Sequence, residues 1–219
     1  MTPAGPVFRP GVRGISKIVL FVAALAPAGL LVRGLLTGHL GVNPAETIQL
    51  ETGRWALKFL LISLAVTPVR RVTGWSLVIR YRRMLGLFAF FYATLHLLSY
   101  WSFDLGFAIG EFAADILKRP FIALGFAAFV LLTPLALTST QGWIRRLGKR
   151  WTQLHRLVYV ASILAAVHFA LKVKVFTGDP VAYAAVLTVL LGFRVVWFLR
   201  RRARARRAID KPETPVPAR

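Results

Sequence analysis

Residues 151–173 read WTQLHRLVYVASILAAVHFALKV. A bilayer-spanning helix takes about 20 apolar residues, and this run is long and apolar enough, yet it carries His155 and His168. Ionisable side chains inside a membrane are costly, so each is a functional candidate by default. A second run, residues 84–103, MLGLFAFFYATLHLLSYWSF, sets His96 among aromatic and aliphatic neighbours. The two runs predict a pair of histidine-bearing membrane helices, with the rest of the chain as their scaffold.

The chain has 219 residues, 57% of them hydrophobic, against about 45–50% in soluble domains. The excess falls in discrete runs at 15–36, 55–69, 84–103, 120–137, 151–173 and 181–199. The pattern predicts an all-α integral membrane domain of six helices over 15–199. Residues 1–14, rich in Pro and Gly with Arg9 and Arg13, read as a flexible basic arm. Residues 200–219, basic and then Pro-rich, read as a disordered tail. Lys58 interrupts the run 55–69 one turn in, where its ammonium can extend to the headgroups. Ahead of it, Asn43-Pro44-Ala45-Glu46 spells a helix start, with Asn as cap, Pro at the first position and Glu reaching back. A short surface helix is expected there. Ser139 or Thr140 is expected to cap another short interfacial helix, which leads into the run at 151.

The net charge is +21. In a soluble chain that would suggest nucleic acid. Here the basic residues lie between apolar runs, where they set topology and meet anionic lipid, so no nucleic-acid partner is expected. Arginine and lysine crowd the N-terminus, the connection at 70–83, the connection at 145–150 and the C-terminus, and six of the eight acids fall in the other three connections. The positive-inside rule then puts both termini in the cytoplasm. The absence of cysteine excludes disulfides and thiolate-held clusters. There is no Gly-rich dinucleotide fingerprint, no GxSxG elbow and no HExxH. A chain of this kind cannot take hydride from a nicotinamide unaided, so its electrons must come from elsewhere.

In that topology the helices bearing His96 and His168 run in the same direction, from inside to outside. At 1.5 Å per residue, His96 lies roughly 20 Å and His168 roughly 27 Å from the inner edge, and His155 only about 7 Å. His96 and His168 therefore belong to the outer half and could face each other across one haem, with His155 alone near the cytoplasmic face. Neutral imidazole is a good iron ligand. Two of them leave no open position for oxygen chemistry and suit electron transfer. The alternatives are helix packing through Tyr92, Ser99 or Tyr100 for His96, simple packing for His168, and an interfacial basic role for His155 beside Arg156. His39, in an outer loop, carries no functional expectation. On an ideal helix His155 and His168 stand about 140° apart, so they share no face. Either the helix presents two flanks or His155 serves a different pocket. Arg80, Arg82 and Arg83 suit haem propionates or a flavin phosphate, or else only set topology. The acids of the outer loops, Glu46, Glu51, Asp104, Glu111 and Asp115, are candidates for a docking face. A haem-free transporter or scaffold, with histidines that relay protons or pack helices, and a stand-alone ferric reductase remain the competing functions.

Three strings, GVNPAETIQLETGRWALKFLL, YRRMLGLFAFFYATLHLLSY and LTSTQGWIRRLGKRWTQLHRLVYVASILAAVHF, resemble the MsrQ (YedZ) family. The likeness covers roughly residues 40–200 and includes polar loop strings that membrane composition alone would not produce. It implies a ferric-reductase-like transmembrane domain in the bacterial inner membrane, with haem b, one or two, and FMN as cofactors. It implies electrons taken from the quinone pool or a cytosolic flavin reductase and passed to a periplasmic molybdopterin subunit that reduces methionine sulfoxide. The family's histidines fall on His96, His155 and His168. The wider superfamily places two histidines on each of two helices. Here the fourth position falls near Arg82 or Arg83, which cannot ligate iron, so the resemblance implies either one haem or an inner haem with an unusual second ligand.

Overall fold

In the computed structural model, which describes residues 10–172 and 178–209, the chain is built of helices joined by short turns. In chain order these are α1 (Pro10–Leu36), α2 (Pro44–Thr73), a 3₁₀ turn (Ser76–Arg80), α3 (Arg82–Ser99), a π turn (Tyr100–Asp104) and α4 (Ile109–Lys118). Then follow α5 (Pro120–Leu137), α6 (Gln141–Leu147), α7 (Lys149–Leu154), α8 (Leu157–Lys172) and α9 (Asp179–Ile209). The expected turn between 172 and 179 lies mostly outside the described residues, as do 1–9 of the arm and 210–219 of the tail. Where both are described, helix replaces irregular chain: α1 begins at Pro10 and α9 continues to Ile209.

Among the described residues, five helical segments are long and apolar enough to cross a membrane: 14–36, 82–104, 120–137, 149–172 and 179–204. The expected sixth, α2, is long enough at 30 residues but carries Glu46, Glu51, Arg54, Lys58, Arg70 and Arg71. Its position in the bundle explains that polarity. Leu57, Phe59, Leu60, Leu61, Leu64 and Val66 are all buried on it, whereas α1 and α9 expose most of their apolar side chains. A helix enclosed by protein is not required to be apolar all round, as one bathed in lipid is.

The expected surface helix and the expected second span are one element. Asn43 caps it as read: its Oδ1 accepts the Glu46 N–H at 3.2 Å, and its Nδ2 donates to Glu46 Oε2 at 3.2 Å. The helix runs on through Pro68 to Gly74, whose φ of 71° ends it with its N–H on the Arg70 carbonyl. Gly53 alone is tolerated in a helix interior.

The expected helix at 151–173 is broken instead. After α7 the chain turns at His155 and Arg156, and the His155 N–H still reaches the Trp151 carbonyl at 3.0 Å before α8 starts at Leu157. Thr140 Oγ1 caps α6 by accepting the Trp143 N–H at 3.4 Å.

The core is made by two helical hairpins, α2 with α3 and α5 with α8, each packed closely within itself. Phe59, Phe88 and Tyr92 stack in the first, with Phe59 and Tyr92 centroids 5.4 Å apart. Phe90 on α3 stacks on Phe129 of α5 at 5.4 Å and joins the hairpins. Tyr92, fully buried, ties down α1: its hydroxyl donates to the Ala24 carbonyl at 2.8 Å and accepts the Ala28 N–H at 3.1 Å. Both groups flank Pro27, which cannot donate to the helix ladder and so loosens it locally. α9 packs on the other side, where Arg194 donates to the Leu64 carbonyl at 2.7 Å and the Tyr159 hydroxyl at 2.9 Å.

Candidate functional site

His96 sits in the last turn of α3 and His168 one turn from the end of α8, and the two rings meet between the hairpins. His96 Nδ1 lies 2.8 Å from the Gln49 carbonyl on α2, and His168 Nδ1 lies 2.6 Å from the Phe121 carbonyl on α5. A carbonyl oxygen only accepts, so Nδ1 holds the proton in both rings. Each Nε2 keeps its lone pair on the side away from its anchor. A backbone carbonyl fixing the tautomer of a ligating imidazole is the usual outer support of a histidine–metal bond.

The ring centroids of His96 and His168 are 6.0 Å apart and their planes differ by 71°. Imidazole–metal bonds of about 2.0–2.1 Å, with about 1.1 Å from nitrogen to ring centre, place two trans rings about 6.3 Å apart. The rings therefore stand at the separation that one metal between them demands. Around them is a cavity of about 450 Å³, in the range of small-ligand and cofactor pockets. Its walls are apolar and unusually small near the histidines: Gly53, Ala56, Ala89, Ala93, Gly125, Ala128 and Ala165, backed by Leu60, Phe129 and Leu132. Two neutral imidazoles facing each other across a greasy slot fit a porphyrin iron better than a bare cation, and the described residues hold no cluster of three metal-ligating side chains.

Sequence reasoning missed what sets these rings in place. A Cβ on Gly53 would come within 3.0 Å of His96 Nδ1, and one on Gly125 within 2.8 Å of His168 Nδ1. Each glycine stands one turn beyond the carbonyl that holds the same histidine, Gln49 then Gly53, Phe121 then Gly125. The interval from carbonyl to histidine is 47 residues in both hairpins. The site is thus one device used twice. The available signal was glycine inside a helix, which costs about 1 kcal/mol against alanine and asks for a packing reason.

The polar and charged residues of the cavity lining gather at the Gln49 and Phe121 end, here called its mouth. There the Tyr100 hydroxyl donates to Asp115, Arg119 Nε pairs with Asp115 Oδ1 at 3.2 Å, and Gln49 Nε2 donates to Asp104 at 2.7 Å. These contacts hold α4 across the opening, with Phe112 turned into the cavity. The π turn supplies Tyr100 and Asp104, and such turns recur at functional sites.

The other candidates lie elsewhere. His155 is not among the residues lining this cavity. It occupies the break between α7 and α8, stacked on Trp151 at 3.8 Å, with Nδ1 at 3.1 Å from the Trp151 carbonyl and Nε2 enclosed, the Leu135 backbone also interacting with the ring. The break interrupts the ideal helix between His155 and His168, and His155 lies apart from the cavity that His96 and His168 line. Arg80, Arg82 and Arg83 stand at the far end of α3 from His96 and do not line the cavity, although Arg82 acts electrostatically on His155. His39 is exposed in its loop.

Comparison with known proteins agrees with this architecture. The family model described as "Ferric reductase like transmembrane component" matches residues 52–166, which take in α3, α5 and most of α2 and α8 but neither Gln49 nor His168. A relative from Xanthomonas euvesicatoria is 49% identical over 208 residues, 91% of this chain and 95% of its own. One from Herminiimonas arsenicoxydans is 50% identical over 192 residues, 86% of this chain and 88% of its own. Both carry the name protein-methionine-sulfoxide reductase heme-binding subunit MsrQ. The chain belongs to the MsrQ family. A third MsrQ, from Rhodospirillum rubrum, is 49% identical over 193 residues, 88% of this chain and 93% of its own. No solved structure is a significant match to this chain.

Proposed function

We propose that the chain is the haem-binding membrane subunit of a methionine sulfoxide reductase system, and that it relays electrons to a partner on the outer side of the bacterial inner membrane. The observation that carries this reading is the opposed pair His96 and His168, 6.0 Å between centroids, each with its Nδ1 proton on a backbone carbonyl. Haem b, held there by His96 and His168, would supply a one-electron centre. The chain's own part is to bind, orient and insulate. Gln49 and Phe121 fix the tautomers, Gly53 and Gly125 let the rings lie against their backbones, and the alanine-lined walls exclude water.

The topology proposed is six passes with both termini cytoplasmic. Arg70, Arg71, Arg80, Arg82 and Arg83 gather at one end of α2 and α3, and Glu46, Glu51 and Asp104 at the other. The cavity then opens toward the periplasm, under α4. His155, at the basic end, is the candidate for an inner centre, with Arg80, Arg82 and Arg83 as candidate partners of propionate or flavin phosphate there. The donor is the quinone pool or a cytosolic flavin reductase, with FMN as the second cofactor. The acceptor is a periplasmic molybdopterin subunit that reduces methionine sulfoxide, docking on the acidic outer loops.

The test is a reduced-minus-oxidised spectrum of the purified chain. A b-type Soret and α band is expected, lost as a low-spin signal in His96→Ala and in His168→Ala and retained in part or whole in His155→Ala. A colourless wild-type protein, or a low-spin signal that survives His168→Ala, refutes the reading.

A further inference from the structure

The cations at the mouth of the cavity are not equivalent. Arg54 meets two carboxylates through its terminal nitrogens, Glu51 at 2.8 Å and Asp179 at 3.6 Å, and only its buried Nε is left without a partner. The acids that line the mouth are engaged as well, Asp104 by Gln49 and Asp115 by Tyr100 and Arg119. Lys172 has no carboxylate within 4.0 Å among the described residues. Its Nζ lies 5.8 Å from the centre of the Phe121 ring, which itself stacks on His168. It is one helical turn beyond His168, lines the cavity, and is near enough to act electrostatically on both His96 and His168. Arg119, two residues before Phe121, meets Asp115 through Nε and keeps its terminal N–H groups for another partner.

We propose that Lys172 and Arg119 bind the carboxylates of the prosthetic group at the mouth of the cavity. The inference rests on the haem reading above. An apolar slot whose cations stand only at its opening selects an amphipathic ligand with an acidic edge, inserted with that edge outward. Lys172 is the principal contact because an ammonium beside a low-dielectric pocket without a counter-ion gains most from an arriving carboxylate. Arg119 is the second, with a guanidinium suited to a carboxylate's two oxygens. This assignment places the carboxylates at the opposite end of the bundle from Arg80, Arg82 and Arg83, so those three are left to any inner centre.

The experiment uses the full chain in detergent, stripped of haem and titrated with haem b or with its dimethyl ester. Lys172→Ala should weaken haem b binding about ten-fold or more, the scale of one charged hydrogen bond, and lower the midpoint potential, since a cation near the iron favours the ferrous state. Lys172→Arg should restore both. Arg119→Ala should weaken binding less. Esterification should weaken binding to the wild type and add little to the Lys172→Ala, Arg119→Ala double variant. Additive losses from ester and double variant, or a Lys172→Ala protein equal to wild type in affinity and potential, overturn the proposal. A stripped wild-type chain that takes up no haem at all overturns the haem reading itself, which separates the two failures.

Discussion

Replacing Gly125 by alanine should dislodge His168 while leaving the helix that carries the change intact. The new Cβ would stand 2.8 Å from His168 Nδ1, 2.9 Å from Cε1 and 3.1 Å from Cγ, and ordinary contact begins at 3.4 Å. The ring must therefore retreat by about 0.6 Å, and it cannot do so along its own plane without leaving the Phe121 carbonyl at 2.6 Å. A rotamer pushed about 30° off its well costs about 0.5–1.5 kcal/mol, and the lost hydrogen bond about as much again. Loss of the group that orients a metal-bound histidine lowers affinity about 10–100-fold, or about 1.4–2.7 kcal/mol. At Gly53 the nearest approach to His96 is 3.0 Å, so the ring has only about 0.4 Å to give and the loss should be smaller. The control is Gly86→Ala, whose Cβ would meet Ser63 Oγ at 3.6 Å and nothing closer. Alanine favours a helix by about 0.8–1.0 kcal/mol over glycine, which offsets only part of that cost, so Gly86→Ala should unfold no more readily than wild type when stripped of haem and Gly125→Ala more readily by at most about 2 kcal/mol. Haem-to-protein ratio, Soret position and thermal unfolding of each purified variant make the assay. A Gly125→Ala protein that holds haem as firmly as Gly86→Ala would refute the reasoning.

Four further outcomes follow from the same coordinates. Imidazole planes 71° apart should give the ferric centre a highly anisotropic low-spin EPR signal, and a well-resolved rhombic spectrum would contradict the geometry. Tyr92→Phe leaves the Ala24 carbonyl and the Ala28 amide without their partner, and should cost about 1–3 kcal/mol, read as a lowered melting temperature with unaltered haem spectra. Asp115→Ala releases both Tyr100 and Arg119, so amide exchange over 109–118 should quicken and bound haem should dissociate faster. Reporter fusions at the C-terminus and in the connection at 105–108 should fall on opposite sides of the membrane, cytoplasmic and periplasmic; the same side for both would exclude the six-pass topology.

Much of this site was legible before any coordinates. Apolar runs of membrane length gave five of the helices, α3, α5 and α8 of the site among them, and an imidazole inside such a run is costly enough to stand out from its neighbours. Depth counted along each helix placed His96 and His168 in the same outer half, and the structure brings their rings together. The misjudged elements share a cause. α2 was divided into a surface helix and an interrupted span because periodicity measures exposure to lipid, and α2 has little of it: Leu64 is 1% exposed and Thr52 1%. The break at His155 left no trace in composition, because Gln153, Leu154, Arg156 and Leu157 are all acceptable helix formers. An ideal helical wheel drawn through that point was bound to give the wrong angle.

The supports of the histidines were hidden for a deeper reason. Gln49 and Phe121 act through backbone carbonyls, so nothing in their side chains advertises the role, and a glutamine and a phenylalanine can do the same work. What the chemistry requires is a bare backbone beside the ring, and that need is visible only as Gly53 and Gly125. Because each hairpin supplies one complete half, histidine, carbonyl and glycine, the distance between the two imidazoles depends on how the hairpins pack and hardly on either alone. That makes the small residues between them, Ala89 on α3, Ala128 on α5 and Ala165 on α8, the spacers of the site. Enlarging any one would push the hairpins apart and widen the 6.0 Å gap past the about 6.3 Å that two bonds to a single metal span.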